Sequence, residues 1–172
     1  DAGREILFIS NADNLGAVVD PVILNYMDEF NIPFLMEMTA KTPADIKGGT
    51  LYQQDGKIKL LEIARVPDEK IDKFCDMSKF KVFNTNNIWI NLVALYNRLK
   101  KDSLELSVLV NRKNIKGAPI LQLETAIGSG FECFDGAVGL SVSRERFLPV
   151  KTTDDLLLVQ SNLFTLNKGT LI

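Results

Sequence analysis

The sequence predicts an α/β fold with three layers and a mixed β-sheet. Short apolar runs typical of buried strands alternate with segments of helical periodicity, and no repeat, low-complexity tract or linker interrupts them. The chain has 172 residues, of which 46% are apolar and 24% are charged, so it can build one globular domain with a sizeable core. We therefore expect residues 1–172 to form one continuous piece of a domain.

The first elements have the clearest boundaries. Glu5–Ser10 is an apolar run typical of a buried strand. Asp20-Pro21 predicts a helix start, because Asp caps helix N-termini and Pro favours the first helical position. Asp55-Gly56 predicts a tight hairpin turn. The residues expected on the buried face of the helix after Pro21 are Val22, Ile23, Tyr26, Met27 and Phe30.

The remaining elements follow from the same signals. A long helix is expected to start at Asn86 or Asn87 and to run to about Lys100, with Trp89, Val93 and Tyr96 on one face. Thr152 or Thr153 caps a last helix over 154–161. The other expected elements are strands at 34–39, 51–54, 57–64, 80–83, 120–123 and 137–142, a short helix at 67–74 and a helical segment at 125–134.

The composition excludes several classes of function. A net charge of −2 without a Lys/Arg run gives no reason to expect nucleic acid or an anionic membrane as partner, and no apolar stretch approaches the roughly 18–20 residues of a membrane span. The chain has no histidine, which argues against a Ser–His–Asp triad or a zinc hydrolase. Cys75 and Cys133 form no CxxC motif, so a reduced, cytoplasmic protein is expected.

The first candidate site follows the first strand. Asn11, Asp13 and Asn14 lie directly after it, and ligands of open α/β sheets bind beyond the carboxyl ends of strands. Asp13 could hold a hard cation such as Mg²⁺ together with phosphate oxygens. The alternative is an ordinary tight turn, which uses the same residue types.

Further candidates are polar residues in unusual surroundings. Glu62 lies inside the apolar run Leu60–Ala64, where it either sits in a pocket or faces solvent from a strand. Asn84, Asn86 and Asn87 offer convergent amides for a polar ligand, although a single helix cap would explain one of them.

Lys151 precedes the cap of the last helix, where a bound phosphate would offset the unfavourable helix dipole; a lysine extending into solvent is the alternative. Gly48-Gly49 is a turn that would also let a ligand approach the backbone closely. A cation-binding carboxylate, an anion-binding lysine and several amides suit phosphoryl or nucleotidyl transfer, which depends on positioning and charge neutralisation more than on a base.

Five sequence blocks stand in order along the chain: SNADNLGAVVD at 10–20, LEIARVP at 61–67, FNTNNIW at 83–89, QLETA at 122–126 and RFLPVKTTDDLLL at 146–158. Together they resemble the UDP-glucose pyrophosphorylase (UTP–glucose-1-phosphate uridylyltransferase) family. The resemblance covers essentially the whole chain. It implies a three-layer, Rossmann-like nucleotidyltransferase domain.

The resemblance also implies substrates and roles. UTP and glucose-1-phosphate would give UDP-glucose and pyrophosphate with Mg²⁺, and the expected catalytic residues are Lys151, which neutralises phosphate charge, and Asp13, which meets the metal and the nucleotide phosphate. The residues implied to bind substrate are Asn11 near the nucleotide and Gly49, Glu62, Asn84 and Asn86 at the glucose.

The family comparison further implies that the chain is the second half of the catalytic domain. The upstream Gly-rich nucleotide loop and a C-terminal β-helix, through which many members assemble, would lie outside it, so the piece alone is expected to be inactive. Three alternatives stay open: a uridylyltransferase for another sugar phosphate, a non-catalytic sugar- or nucleotide-binding module, and a domain that only docks with its missing half.

Overall fold

A mixed four-stranded sheet is the centre of the fold. The computed structural model describes residues 3–101, 104–167 and 169–171. The sheet order is β1(Ile6–Ile9), β5(Val82–Asn91), β2(Phe34–Ala40), β8(Val138–Ser141). β5 is antiparallel to both β1 and β2, whereas β8 runs parallel to β2, so the predicted mixed sheet is confirmed.

The three-layer arrangement follows from the central strands, which are buried on both faces. Alternate residues of β2 serve two cores, as expected for the period of two in a strand. Helix α1(Pro21–Glu29) covers one face, in a cluster made of Ile23, Met27, Ile32, Leu35 and Trp89. The opposite face packs against a hairpin made of strands Thr50–Gln54 and Lys57–Leu61 and against a 3-10 segment, in a cluster made of Phe34, Met36, Met38, Leu60, Ile88, Ile90 and Phe131.

Helix α1 starts as predicted but presents a different face. The Asp20 carboxylate accepts a hydrogen bond from the Val22 N–H at 2.8 Å, and Pro21 is the first helical residue. Ile23 and Met27 are buried, whereas Val22 is 74% and Phe30 61% exposed. The buried face predicted for this helix was therefore too wide, and only the residues at its centre contact the sheet.

The expected helix over 86–100 is wrong in its first turn and a half. β5 continues to Asn91, and α3(Leu92–Lys101) begins only there, capped by the Asn91 side chain, which accepts from the N–H groups of Val93 and Ala94. Trp89 is buried in the strand, while Val93 and Tyr96 are exposed. A strand buried on both faces lacks alternation, and this is why its apolar residues fitted a helical spacing.

Three two-stranded units surround the sheet. The Asp55-Gly56 turn joins β3(Thr50–Gln54) to β4(Lys57–Leu61), with positive φ at both turn residues, as a tight hairpin turn of this kind requires. A second hairpin joins β6(Val108–Ile115) to β7(Ala118–Thr125), and its first strand was missed. The short strands β9(Leu166–Asn167) and β10(Thr170–Leu171) pair near the C-terminus.

The short helices follow the prediction more closely. Residues 68–74 form a 3-10 turn and then α2(Ile71–Phe74). The segment expected to be helical over 125–134 is a 3-10 helix over Ile127–Cys133. α4(Thr153–Gln160) is capped by Thr152, with Asp155 returning the hydrogen bond in a capping box. Within the described residues, no helix has the length and apolar character needed to cross a membrane.

Candidate functional site

One open cleft collects the seven catalytic and binding residues that the family resemblance implies, whereas the candidates Asn14 and Asn87 are buried and do not line it. Its volume is about 290 Å³. The predicted residues that line it are Asn11, Asp13, Gly49, Glu62, Asn84, Asn86 and Lys151. They come from five separate segments, so the fold brings together what the sequence holds up to 140 positions apart (11 to 151).

A bulge in β5 aims two of the asparagines into the cleft. Between Met36 and Met38 the pairing with β2 shifts, so that Glu37 alone stands opposite residues 85–87. Asn86 has φ 61°, a left-handed conformation that Asn tolerates better than most residues. The Asn84 Nδ2 donates to Asn86 Oδ1 at 2.8 Å, and Asn84 Oδ1 accepts from the Asn86 N–H at 2.8 Å. The bulge thus holds the two amides as one rigid pair.

Glu62 lies against the backbone of Gly49. A Cβ atom on Gly49 would stand 2.5 Å from Glu62 Oε2, so only glycine leaves room for this carboxylate. The Gly49 carbonyl accepts a hydrogen bond from the Asn84 N–H at 2.7 Å. The packing explains why the Gly49 turn, Glu62 and Asn84 form one wall.

Burial raises the pKa of the Glu62 carboxyl; the nearby Arg65 acts in the opposite direction, and Glu124 adds to the rise. Glu62 lines the cleft, so the pocket alternative is the correct one, and a group that accepts hydrogen bonds is available there.

A second wall joins two segments that lie far apart in the sequence. Asn14 is buried, and its Oδ1 accepts from the N–H groups of Gly16 at 3.1 Å and Leu148 at 2.8 Å. Its Nδ2 donates to Asn87 Oδ1 and to the Arg146 carbonyl. These bonds clamp the 11–16 loop to the 146–150 segment, which places Asp13 and Lys151 in the same cleft.

Lys151 is exposed, and its backbone is held by the last helix. Its N–H donates to Asp155 Oδ2 at 3.0 Å, and Thr152 donates to the same oxygen. These donors lower the pKa of the Asp155 carboxyl, with the Lys151 N–H as the largest cause. The ammonium group remains available to a ligand, and Lys47 is a second cation that lines the cleft.

A buried ion pair under the cleft was only partly anticipated. Glu37 is fully buried and accepts from Arg146, from the Trp89 indole at 2.8 Å and from Asn87 at 3.0 Å. For Arg144 and Arg146 the sequence alone leaves two interpretations open, a solvated face and an ion pair within the chain, and the structure shows an ion pair for each of them. Glu37 gave no signal beyond its place in the apolar run Phe34–Met38, where a carboxylate requires a partner.

The donor set fits Mg²⁺ in one limited way. No group of three or more His, Cys, Asp or Glu side chains within residues 3–101, 104–167 and 169–171 could form an all-protein metal site. Mg²⁺ is commonly held by one or two carboxylates together with substrate phosphates and water. Asp13, in a cleft that also offers Lys151 to phosphate, suits that mode.

The family model of UTP–glucose-1-phosphate uridylyltransferase matches residues 1–172. The chain belongs to this uridylyltransferase family. A Dictyostelium discoideum UTP–glucose-1-phosphate uridylyltransferase 2 is 54% identical over 171 residues, covering 99% of this chain and 34% of that protein. The Saccharomyces cerevisiae uridylyltransferase is also 54% identical, over 173 residues, covering 98% of this chain and 35% of that protein.

Solved uridylyltransferase structures have the same fold. The Trypanosoma brucei UDP-glucose phosphorylase superposes with a TM-score of 0.87 at 39% identity, covering 99% of this chain and 38% of that one. A point mutant of the Leishmania major UDP-glucose pyrophosphorylase, solved in complex with UDP-glucose, gives 0.86 at 36% identity and covers 99% and 40%. The chain therefore spans little more than a third of the length of the uridylyltransferases that it matches.

Proposed function

We propose that the whole protein transfers the uridylyl group of UTP to glucose-1-phosphate, giving UDP-glucose and pyrophosphate. The observation that carries this proposal is the single cleft, in which Asp13 and Lys151 can meet phosphates while Glu62, Asn84 and Asn86 can meet a sugar. The names of the related uridylyltransferases and the UDP-glucose complex of one of them support the same choice of substrates.

The proposed reaction is an in-line displacement. A phosphate oxygen of glucose-1-phosphate forms a bond to the α-phosphorus of UTP while the bond to the pyrophosphate oxygen breaks. Since the attacking oxygen is already an anion, no proton has to be removed, and a segment without histidine lacks nothing for this step. Lys151 would stabilise the negative charge that accumulates on the phosphates, from a backbone position fixed by Asp155.

Each remaining residue has a binding role in this proposal. Asp13 would hold Mg²⁺, which when bound supplies further charge neutralisation at the phosphates. Asn11 would lie near the nucleotide. Glu62 would accept hydrogen bonds from glucose hydroxyls, and the Asn84–Asn86 pair would present a fixed set of amide groups to the same sugar. Gly49 would keep the backbone wall open beside the ring.

The proposal extends to parts of the protein outside these residues. A Gly-rich nucleotide loop upstream would cradle the pyrophosphate, and a β-helix downstream would mediate assembly in the cytoplasm. Without the upstream loop the leaving group has no binding site, so we expect residues 1–172 alone to show no turnover.

A segment exchange tests the function directly. Residues 1–172 replace the matching segment of the D. discoideum relative, and pyrophosphate release is measured with UTP, Mg²⁺ and glucose-1-phosphate. We expect transfer in the exchanged protein and a loss of about 100-fold or more in kcat for Lys151→Ala, the range typical of a lost transition-state charge contact. Lys113→Ala, an exposed lysine on β6 outside the cleft, is the matched control and should stay within about twofold.

The same assay separates the alternatives. Faster turnover with N-acetylglucosamine 1-phosphate than with glucose-1-phosphate would identify another sugar as the substrate. UDP-glucose binding that does not depend on Lys151 or Mg²⁺, in a protein without turnover, would instead identify a non-catalytic binding module.

A further inference from the structure

A second chamber adjoins the sugar-binding side of the cleft. It has a volume of about 280 Å³ and shares Asn11, Glu62 and Asn86 with the cleft as common walls. Neither Asp13 nor Lys151 lines it, so it lies beyond the sugar residues and away from the phosphate residues. Its outer wall comes from the β6–β7 hairpin and the turn that follows.

Glu124 is the charged residue of that outer wall. It pairs with Leu109 across the hairpin, and the two side chains therefore share one face, on which Leu109 is buried and Glu124 lines the chamber. Each carboxylate oxygen of Glu124 accepts one hydrogen bond, Oε1 from Asn111 at 2.8 Å and Oε2 from Gln122 at 3.1 Å. A carboxylate oxygen can accept two, so both retain capacity for a ligand.

The chamber is lined mainly by groups that accept hydrogen bonds. Glu62 and Glu124 both line it, and their charges interact, since Glu124 contributes to the raised pKa of Glu62. Asn11 and Asn86 add amide side chains, while Leu109 and Ile127 provide an apolar side. A ligand group with several O–H donors and an apolar ring face matches this lining, as a sugar does.

We propose that the sugar site extends into this chamber and that Glu124 accepts a hydrogen bond from one glucose hydroxyl, which makes it a specificity-determining residue. The inference rests on the proposed function, because it requires that the cleft binds a nucleotide sugar. Glu62 and Glu124 then both accept hydrogen bonds from the sugar, and the β6–β7 hairpin becomes part of the binding site.

The test asks whether one hydroxyl of glucose interacts with the Glu124 carboxylate. UDP-glucose and its four monodeoxy analogues, lacking the 2-, 3-, 4- or 6-hydroxyl, are titrated calorimetrically into the whole protein, its Glu124→Ala variant and a Glu69→Ala control. Glu69 is an exposed carboxylate that lines neither chamber nor cleft. We expect Glu124→Ala to weaken UDP-glucose binding about tenfold, as for one hydrogen bond to a charged group, and Glu69→Ala to change it less than twofold.

The decisive result is non-additivity. One deoxy analogue should bind the wild type about tenfold more weakly than UDP-glucose does. The same analogue should bind Glu124→Ala less than twofold more weakly than UDP-glucose does, because the partner of the missing hydroxyl is already absent. Equal losses in both proteins for all four analogues would overturn the assignment of Glu124, even with UDP-glucose bound normally. A wild-type protein that binds no UDP-glucose would overturn the proposed function, and this assignment with it.

Discussion

Replacing Arg146 by methionine should destabilise the chain by about 3–5 kcal/mol, because the buried Glu37 carboxylate loses its cation. Arg146 donates to Glu37 twice, from Nε at 2.7 Å and from Nη2 at 2.6 Å, and its side chain is only 12% exposed. After the substitution only the neutral donors of Trp89 and Asn87 face the charge. With a slope of about 2 kcal/mol/M, the midpoint of urea unfolding should fall by roughly 1.5–2.5 M.

Urea unfolding followed by circular dichroism and tryptophan fluorescence measures this loss. Trp89 is the only tryptophan and donates to the same carboxylate, so it reports on the network directly. Arg144→Met is the matched control, because the Arg144 side chain is 37% exposed and its pair with Asp45 should contribute less than about 1 kcal/mol. Similar losses for the two arginine variants would refute the argument that burial makes Glu37 depend on Arg146.

Three further predictions concern the cleft. Burial raises the pKa of Glu62, so the native state binds the Glu62 proton more tightly than the unfolded state does. The stability that this proton provides is full below the ordinary glutamate pKa and is lost as the pH rises through the raised pKa. In unfolding titrations, Glu62→Gln should therefore become more stable relative to the wild type as the pH increases. Gly49→Ala should destabilise the chain and weaken UDP-glucose binding about tenfold or more, because the added methyl group clashes with Glu62. Adding Glu62→Ala should restore the stability but not the binding. A Gly49→Ala variant as stable as the wild type would contradict this packing. Asn14→Ala leaves the N–H groups of the buried Gly16 and the half-buried Leu148 without their acceptor, so it should cost about 1–3 kcal/mol and speed amide exchange at Leu148. Unchanged exchange at Leu148 would show that the clamp is not needed.

Local signals were sufficient where the chemistry is local. The Asp20 cap, the Asp55-Gly56 turn and the Thr152 cap each act within a few residues, and the structure confirms all three. The side chains of the candidate site also carried a local signal, because polar groups beside apolar runs require an explanation. The structure confirms that they share one cleft, while their individual roles stay predictions.

Errors occurred where tertiary contacts override local pattern. The apolar run Ile88–Ile90 is covered on both faces by different elements, which no period within the run reveals. The bulge in β5 depends on Glu37, about 50 residues away, through its contacts with Thr85 and Asn87. The missed strand β6 exposes most of its side chains, so burial left little pattern in its sequence. Glu124 gave no signal beyond its place in the QLETA block, because the role proposed for it depends on a chamber shared with Glu62 that only the fold creates.

The clamp at Asn14 has a consequence for the order in which the site can assemble. The hydrogen bond between Gly49 and Asn84, in the wall proposed to meet the sugar, joins residues 35 positions apart. The hydrogen bond between Asn14 and Leu148, in the wall proposed to meet the phosphates, joins residues 134 positions apart. Chain-closure entropy makes the longer connection about 1.2 kcal/mol less favourable, roughly two doublings of length. During folding, the wall that contains Gly49 and Asn84 would therefore form before Asp13 and Lys151 come together. The two residues proposed to be catalytic would come together last and, on partial unfolding, would separate first.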